Sequence, residues 1–420
     1  MTAPRPTALA STQLLLNLLN PTQTPDPWES ERLRLNADWD DLAVRAIVLG
    51  LAPQVYQRFI AWGVKPPPRT AAKLAVTYQA SAKRAADIYR QLAEALIAFN
   101  QHALAPVALK GVHLAAFVYA DPALRPMNDI DLLFPTGQLP QAESILESLG
   151  YVGKYKSAEL GAGVTKHTAT FQRETPAGSG QAASAATPNP YLSTEADRMI
   201  EPHGSLEESW FGLKVDITPG VREQAITVEL AGQPCHVLST EDLVLHLCVH
   251  FCFHLIMGAP SMVQLADLLA VTSEPTQRSA PAINWTAFVA RAQFTRSSPY
   301  VLAALTLAHK LLGAPIPPDV LTQLSQATPS PLRQRISNLS LADVLKRTQQ
   351  KPITTLPERI RRGLADRAET ARWAADWRGR WQVWRSAFNI FATDTGQMLL
   401  GKNPKTQISG TAREQHAKSQ

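Results

Sequence analysis

The stretch Leu109–Phe134, LKGVHLAAFVYADPALRPMNDIDLLF, decides how the chain is read. Asp129 and Asp131 alternate with Ile130 and Leu132, and Leu133 and Phe134 continue the apolar run. Side chains on a strand alternate between faces, so both carboxylates leave one face and Ile130 and Leu132 the other. An acid pair at the end of a strand, fed by a glycine-containing turn, is able to hold a divalent cation over a phosphate. A bare Asp-x-Asp is more often a surface strand with two solvated acids, so its surroundings matter. Lys110-Gly111 opens an apolar segment, Val112 to Ala120, that reads as a helix packed on the strand. Asp121-Pro122 marks a turn, and Arg125-Pro126 brings a cation close to the acids in sequence.

A Lys-Gly, a helix ending at a tyrosine, an Asp-Pro, an arginine and then DIDLL together resemble the core of a known family. It is the uncharacterised nucleotidyltransferase-like family of the polymerase-beta-type nucleotidyltransferase superfamily. There the first strand ends at the Lys-Gly, the helix follows, and the second strand carries the acid pair. The resemblance runs in outline from Asp38 to Leu269 and is most specific over 109–134. It implies nucleotide-binding roles for Lys110, Gly111 and Arg125, and catalytic and metal-binding roles for Asp129 and Asp131. Arg125 and Lys110 read equally well as structural cations paired with an acid. One departure stands out: the superfamily's usual Gly-Ser reads Gly111-Val112 here, so no hydroxyl is offered to the nucleotide phosphates at that place.

A third acid is expected from a later strand. Gly212–Thr218, closed by Pro219-Gly220, puts Leu213, Val215 and Ile217 on one face and Lys214, Asp216 and Thr218 on the other. Asp216 is taken as the third catalytic and metal-binding carboxylate because it follows the acid pair and a hairpin. The resemblance implies an acid, an apolar residue and a histidine at this point, and Thr218 stands where the histidine is expected. Three acids suit nucleotidyl transfer, in which the protein positions oxygens and neutralises developing charge. The expected cofactor is Mg2+ or Mn2+ and the expected substrate is a nucleoside triphosphate such as ATP. The acceptor is an unknown small molecule, protein or RNA. The alternative is a noncatalytic adaptor that keeps the fold, favoured by Gly111-Val112 and by the large helical flanks.

The fold class expected is α+β, a small mixed-sheet nucleotidyltransferase-like core between N-terminal and C-terminal helical regions. The boundaries are 1–104 for the N-terminal helical region, 105–238 for the core, 239–405 for the C-terminal helical domain and 406–420 for a disordered tail. Residues 70–102 carry an apolar side through Leu74, Ile88, Leu92, Leu96 and Phe99, which predicts one long helix. Residues 175–205 are rich in Ala, Gly, Ser, Thr and Pro and read as a flexible insertion with too few apolar residues to offset the cost of ordering.

Beyond the core, Glu241-Asp242 start a helix that carries His246, His250 and His254 at four-residue steps, along one face. Histidines one turn apart can ligate zinc, but no acid in the helix completes a recognised motif. His250 and the following helix's Asp267 are therefore read as structural or supporting residues. Trp373, Trp377, Trp381 and Trp384 also fall at helical spacing among arginines. Such a face reads as packed on the same chain, or as a membrane or RNA surface.

Composition bounds the rest. The 420 residues have room for two or three domains, and a net charge of +6 permits a nucleic-acid surface without implying one. Three cysteines form no even disulfide framework and point to a reducing, cytoplasmic setting. The N-terminus lacks the order of a signal peptide, and no stretch of 18 uncharged apolar residues suggests a transmembrane span.

Overall fold

Ile130 and Leu132 of the acid-bearing strand are wholly buried, and the layer that receives them organises the core. The fold is seen in a computed structural model, which describes residues 7–155, 166, 169–173, 199–273, 282–347 and 356–386. It is α+β: a small mixed sheet flanked by helical regions on both sides in sequence. Five helices come first: α1 (Ala8–Leu19), α2 (Pro25–Arg34), α3 (Trp39–Val48), α4 (Ala52–Trp62) and α5 (Pro68–Gln101). The short leucine run near the N-terminus is a full helix, with Leu14, Leu15, Leu16, Leu18 and Leu19 buried. Its carbonyl at Leu14 accepts the Trp28 indole N–H at 3.0 Å, anchoring a cluster of Trp28, Trp39, Phe59 and Trp62. Prolines at its first turn start α5, where a missing N–H is harmless.

The sheet follows. Its strands are β1 (Val107–Ala108), β2 (Asp129–Leu133), β3 (Tyr151–Tyr155), β4 (Ala169–Arg173) and β5 (Met199–His203), with β8 (Ile226–Leu230) and β9 (Gln233–Val237). β6 (Glu207–Trp210) and β7 (Leu213–Asp216) form a separate antiparallel ribbon. The main sheet runs β3-β4-β5-β2-β1-β9-β8, with β2 parallel to β5 and antiparallel to β1. Between β1 and β2 lies α6 (Lys110–Phe117), and α7 (Leu139–Ser148) follows β2. Ile88, Leu92, Leu96 and Phe99 of α5 and Ile145 and Leu146 of α7 share one apolar cluster with Ile130, Leu132 and Ile200. The sheet's other face bears Asp129 and Asp131 beside Leu133 and Val107, which pack in a second apolar cluster.

β5 corrects the expected insertion. Residues 174–198 lie outside those described, but 199–203 form a central strand paired along its whole length with β2. The polar, small-residue composition upstream concealed it, and Pro202 argued against a strand interior. β2 pairs with all five residues of β5 despite Pro202, while β4 adds a single antiparallel bridge, Phe171 to Ile200.

The C-terminal region is helical, from α8 (Thr240–Met257) and α9 (Met262–Thr272) through α10 (Trp285–Phe294), α11 (Ser298–Leu312), α12 (Pro318–Gln326), α13 (Ser330–Ser337), α14 (Leu341–Arg347) and α15 (Leu356–Ala371) to α16 (Trp377–Arg385). Ser239 caps α8 by accepting the Asp242 N–H, and Gly258 ends it in the left-handed region. α8 is long and apolar enough to cross a membrane by length and composition, yet it is mostly buried inside the fold. A helix apolar on all sides is what the middle of a helical domain requires. The tryptophans do not form one docked face. A break between Ala371 and Trp377 separates Trp373, which is buried, from Trp377, Trp381 and Trp384, which are exposed; Val383 seats α16 instead.

A buried ion pair joins core and C-terminal helices. Arg125 donates from Nε and Nη2 to the two Asp267 oxygens at 3.2 and 2.9 Å, and the Tyr119 hydroxyl donates to Oδ1 at 2.9 Å. Asp267 is wholly inaccessible. Removing one member of such a pair strands the other charge away from water, at a cost of roughly 3–5 kcal/mol. Asp267→Asn is therefore expected to lower stability by about that amount in urea unfolding, and a loss below about 1 kcal/mol, the scale of an exposed pair, would contradict this role.

Candidate active site

The end of β1 places the first charged group. The Leu109 N–H donates to the Asp131 carbonyl at 3.0 Å, extending the β1–β2 pairing by one residue. The next residue, Lys110, turns the chain at a φ of +38°, a left-handed conformation uncommon for a residue with a side chain. Its ammonium comes to rest 3.3 Å from Asp131 Oδ2. Gly111 is needed for close approach: a Cβ there would meet Arg125 Nη1 at 2.8 Å and Met127 Cγ at 3.2 Å.

The β2–β5 register supplies the rest of this cluster. Asp129 pairs with Met199, Asp131 with Glu201 and Leu133 with His203, so Asp129, Asp131, Glu201 and His203 share one face. His203 Nε2 lies 2.7 Å from Asp131 Oδ1 and 4.0 Å from Glu201 Oε2. The Thr170 hydroxyl donates to Glu201 Oε1 at 2.7 Å. Asp131, Glu201 and His203 are all buried, and each offers a ligand atom within 4.8 Å of the others. Two carboxylates and one imidazole suit Mn2+ well and Mg2+ acceptably, so the donor set fits the expected metal.

Burial and charge separate the two aspartates. Burial works against ionised Asp131, but Lys110 and the His203 hydrogen bond outweigh it and hold the carboxyl well below its usual range. For Asp129 the balance reverses: burial, then repulsion from Asp131, outweighs the attraction of Lys110 and Arg125 and pushes it up to about 6. Lys110 is likewise held charged, since Asp131, Asp129, Glu208 and Glu201 outweigh its desolvation.

A second cluster comes from β6 and α8. Lys166 donates to both Glu208 oxygens at 2.9 and 3.0 Å, and His250 Nδ1 lies 2.7 Å from Glu208 Oε1. Glu208, His246 and His250 form a second trio with ligand atoms within 4.8 Å of one another. No acid within α8 completes a motif with its histidines; the carboxylate that joins them arrives from β6. His246, His250 and His254 do line one side, with successive ring centroids 5.9 and 4.4 Å apart. Burial lowers all three, His246 to about 3 and His254 to about 4, so they stand neutral beside the two lysines.

Of the residues expected from sequence, Lys110, Asp129 and Asp131 come together beside Gly111. Two others do not join them. Asp216 sits on the β6–β7 ribbon opposite Glu207, on the ribbon face away from Glu208. It is exposed, and its Oδ1 accepts the Thr218 N–H at 2.9 Å, closing a turn. The reason is the alternation of β6: Glu208 and Val215 take the inner face, so Glu207, Lys214 and Asp216 take the outer. Arg125 is committed to Asp267 and to the Pro126 carbonyl, not to an open phosphate site. Glu201, His203, Lys166 and Glu208 were not anticipated, whereas His246 was read from sequence as part of the histidine face of α8. For the first two a signal existed: Glu201-Pro202-His203 is the acid, apolar residue and histidine sought at Asp216-Ile217-Thr218.

The sequence profile of a family described as uncharacterised nucleotidyltransferase matches residues 36–313, about two thirds of the chain. The chain belongs to this family. The match spans the long α5 helix, the sheet, both clusters and the Arg125–Asp267 lock of this nucleotidyltransferase-family protein. No curated protein and no solved structure matches it.

The raised Asp129 carries a stability consequence. An unfolded aspartate titrates near ~3.9, so the metal-free fold favours the protonated acid. The penalty for its charge is absent below that value, grows as pH rises toward about 6, and is complete above it. Asp129→Asn is expected to stabilise the metal-free protein at pH 8 by roughly 1–3 kcal/mol and to give no gain near pH 4. Denaturant titrations at the two pH values read the difference; a variant less stable than wild type at pH 8 would overturn it.

Proposed function

We propose that this chain is a metal-dependent nucleotidyltransferase that moves a nucleoside monophosphate from a nucleoside triphosphate to a hydroxyl, phosphate or amine of an acceptor. The observation that carries the reading is the β2–β5 register, which sets Glu201 beside Asp131 on the face that also bears Asp129. Asp129, Asp131 and Glu201, with His203, are the residues that would hold Mg2+ or Mn2+. Bound there, the ion supplies charge neutralisation for the triphosphate and a lower pKa for the acceptor group.

The chain's own residues account for the remaining needs. Val112 brings no hydroxyl, so the phosphates are received by backbone N–H groups at the start of α6 and by the Lys110 ammonium. Lys166, the other buried cation near the site, neutralises charge farther along the triphosphate. The acceptor oxygen or nitrogen attacks the α-phosphorus, the bond to the bridging oxygen breaks, and pyrophosphate leaves with that electron pair. Asp129, raised to about 6 and ionised above that pH, takes the acceptor's proton as a carboxylate. His203 keeps Asp131 oriented through its 2.7 Å contact.

A noncatalytic adaptor is the second reading. It is favoured by Gly111-Val112 and by Lys110, whose ammonium already compensates Asp131 without a metal. Label transfer from α-labelled triphosphates to a cell-extract acceptor pool, with Mg2+ or Mn2+, separates the two. Transfer by the wild type should fall on the order of 100-fold or more in Asp131→Asn and Glu201→Gln at saturating nucleotide, because lost charge stabilisation acts on the transition state. Asp216→Asn should stay within about twofold, as an exposed residue outside the site. Equal labelling by wild type and Asp131→Asn would reject the active site, and nucleotide binding without metal dependence or transfer would favour the adaptor.

A further inference from the structure

A cavity of about 860 Å3 opens where three parts of the fold meet: α1 and α4, the α6 side of the core, and α8 with α9. None of the acids, histidines or lysines of the two clusters described above lines it. The volume lies within the range that holds small organic ligands, and the walls are chiefly aliphatic and aromatic, including Phe117, Leu243 and Trp285.

Several polar groups break this apolar lining, Gln54, Gln57 and Thr240 among them, and two of them, Arg58 and His113, bear on what it could hold. Arg58 is half-buried, and burial pulls its guanidinium below the ordinary range. One of its N–H groups donates to the Leu19 carbonyl at 3.0 Å, and its carbon lies 5.5 Å from the Trp62 ring centroid. Among the described residues no carboxylate pairs with it, which is unusual for a cation partly withdrawn from water. His113 is 6% exposed, and its Nδ1 has no hydrogen-bond partner. A buried ring nitrogen without a partner is costly, so a ligand or solvent polar atom is expected to meet it.

We infer that this cavity is a second ligand site, separate from the nucleotide, for an amphipathic carboxylate: an aliphatic or aromatic body against the apolar walls and one acid head toward Arg58. The apolar volume accepts the body, the unpaired guanidinium selects an anion over a neutral head, and His113 offers a further polar contact. A purely apolar ligand would leave both polar groups unmet. A highly charged one would strand the rest of its charge against aliphatic walls. α6 links the two sites, since Lys110 at its start belongs to the acid cluster while His113 and Phe117 line the cavity.

The test uses the full chain and cis-parinaric acid, a fluorescent C18 carboxylate, displaced by dodecanoate or by dodecanol. Saturable binding at one site per chain is expected. Arg58→Gln should weaken dodecanoate about tenfold or more, the scale of a lost charge-assisted hydrogen bond, and leave dodecanol within about twofold. Ala270→Trp, which projects an indole from a half-buried position into the cavity, should abolish binding of both. Arg58→Gln changes a half-buried side chain and so keeps the test decisive if Ala270→Trp does not fold. No saturable binding, or dodecanoate affinity unchanged in Arg58→Gln, would overturn the proposal.

Discussion

Asp131 is a carboxylate that stays ionised while buried, and the architecture around it follows from that constraint. A lone charge in such a place would protonate. Here Lys110 approaches from the end of β1 and His203 from β5, and together they outweigh desolvation. Each approach needs something specific of the backbone: a left-handed turn at Lys110, and a parallel β5 that puts Glu201 and His203 on the same face as the acid pair. Asp129, two residues away, also feels Lys110, but burial and repulsion from Asp131 prevail and push it up to about 6. One strand thus carries two aspartates with opposite tendencies. Pairs of acids whose surroundings drive them apart are a recurring arrangement for dividing charge stabilisation from proton transfer.

The helical regions are part of the same arrangement. α8 crosses behind the site and contributes three neutral histidines, while Glu208 from the β6–β7 ribbon and Lys166 complete a second buried cluster. Arg125 leaves the acid-bearing loop to meet Asp267 on α9, and Asp242 near the start of α8 meets Arg291 of α10 at 2.8 Å. The first pair ties α9 to the core; the second ties α8 to α10, and Arg291 also donates to the Ile217 carbonyl at 3.2 Å. Desolvated ion pairs add little net stability compared with apolar packing, but they are intolerant of misplacement. That intolerance suits a scaffold that must hold side chains from two regions against one another.

The centre of the fold was legible in Leu109–Phe134, because strict alternation allows one arrangement of Asp129, Ile130, Asp131 and Leu132. The long helix before it and the three-histidine face after it were legible for the same reason, a clear period. What escaped was non-local. β5 is a single five-residue run, and its proline and its low-apolar approach disguised the alternation of Ile200 and Pro202 with Glu201 and His203. Asp216 had the better local pattern, yet the ribbon it belongs to turns that face outward. Arg125 stood near the acids in sequence but found a partner 142 residues away. The tryptophans, at helical spacing in sequence, are divided by a helix break that composition does not mark.

The account rests on Glu201, and not Asp216, being the acid that completes the site with Asp131. Mn2+ binding by the full chain, followed by the loss of the free-ion paramagnetic resonance signal, tests this without needing the acceptor. Glu201→Gln should weaken Mn2+ at least about tenfold, as expected for loss of a charged ligand, and Asp216→Asn should leave the affinity of the wild type. Mn2+ binding that survives Glu201→Gln and is lost in Asp216→Asn would contradict the assignment.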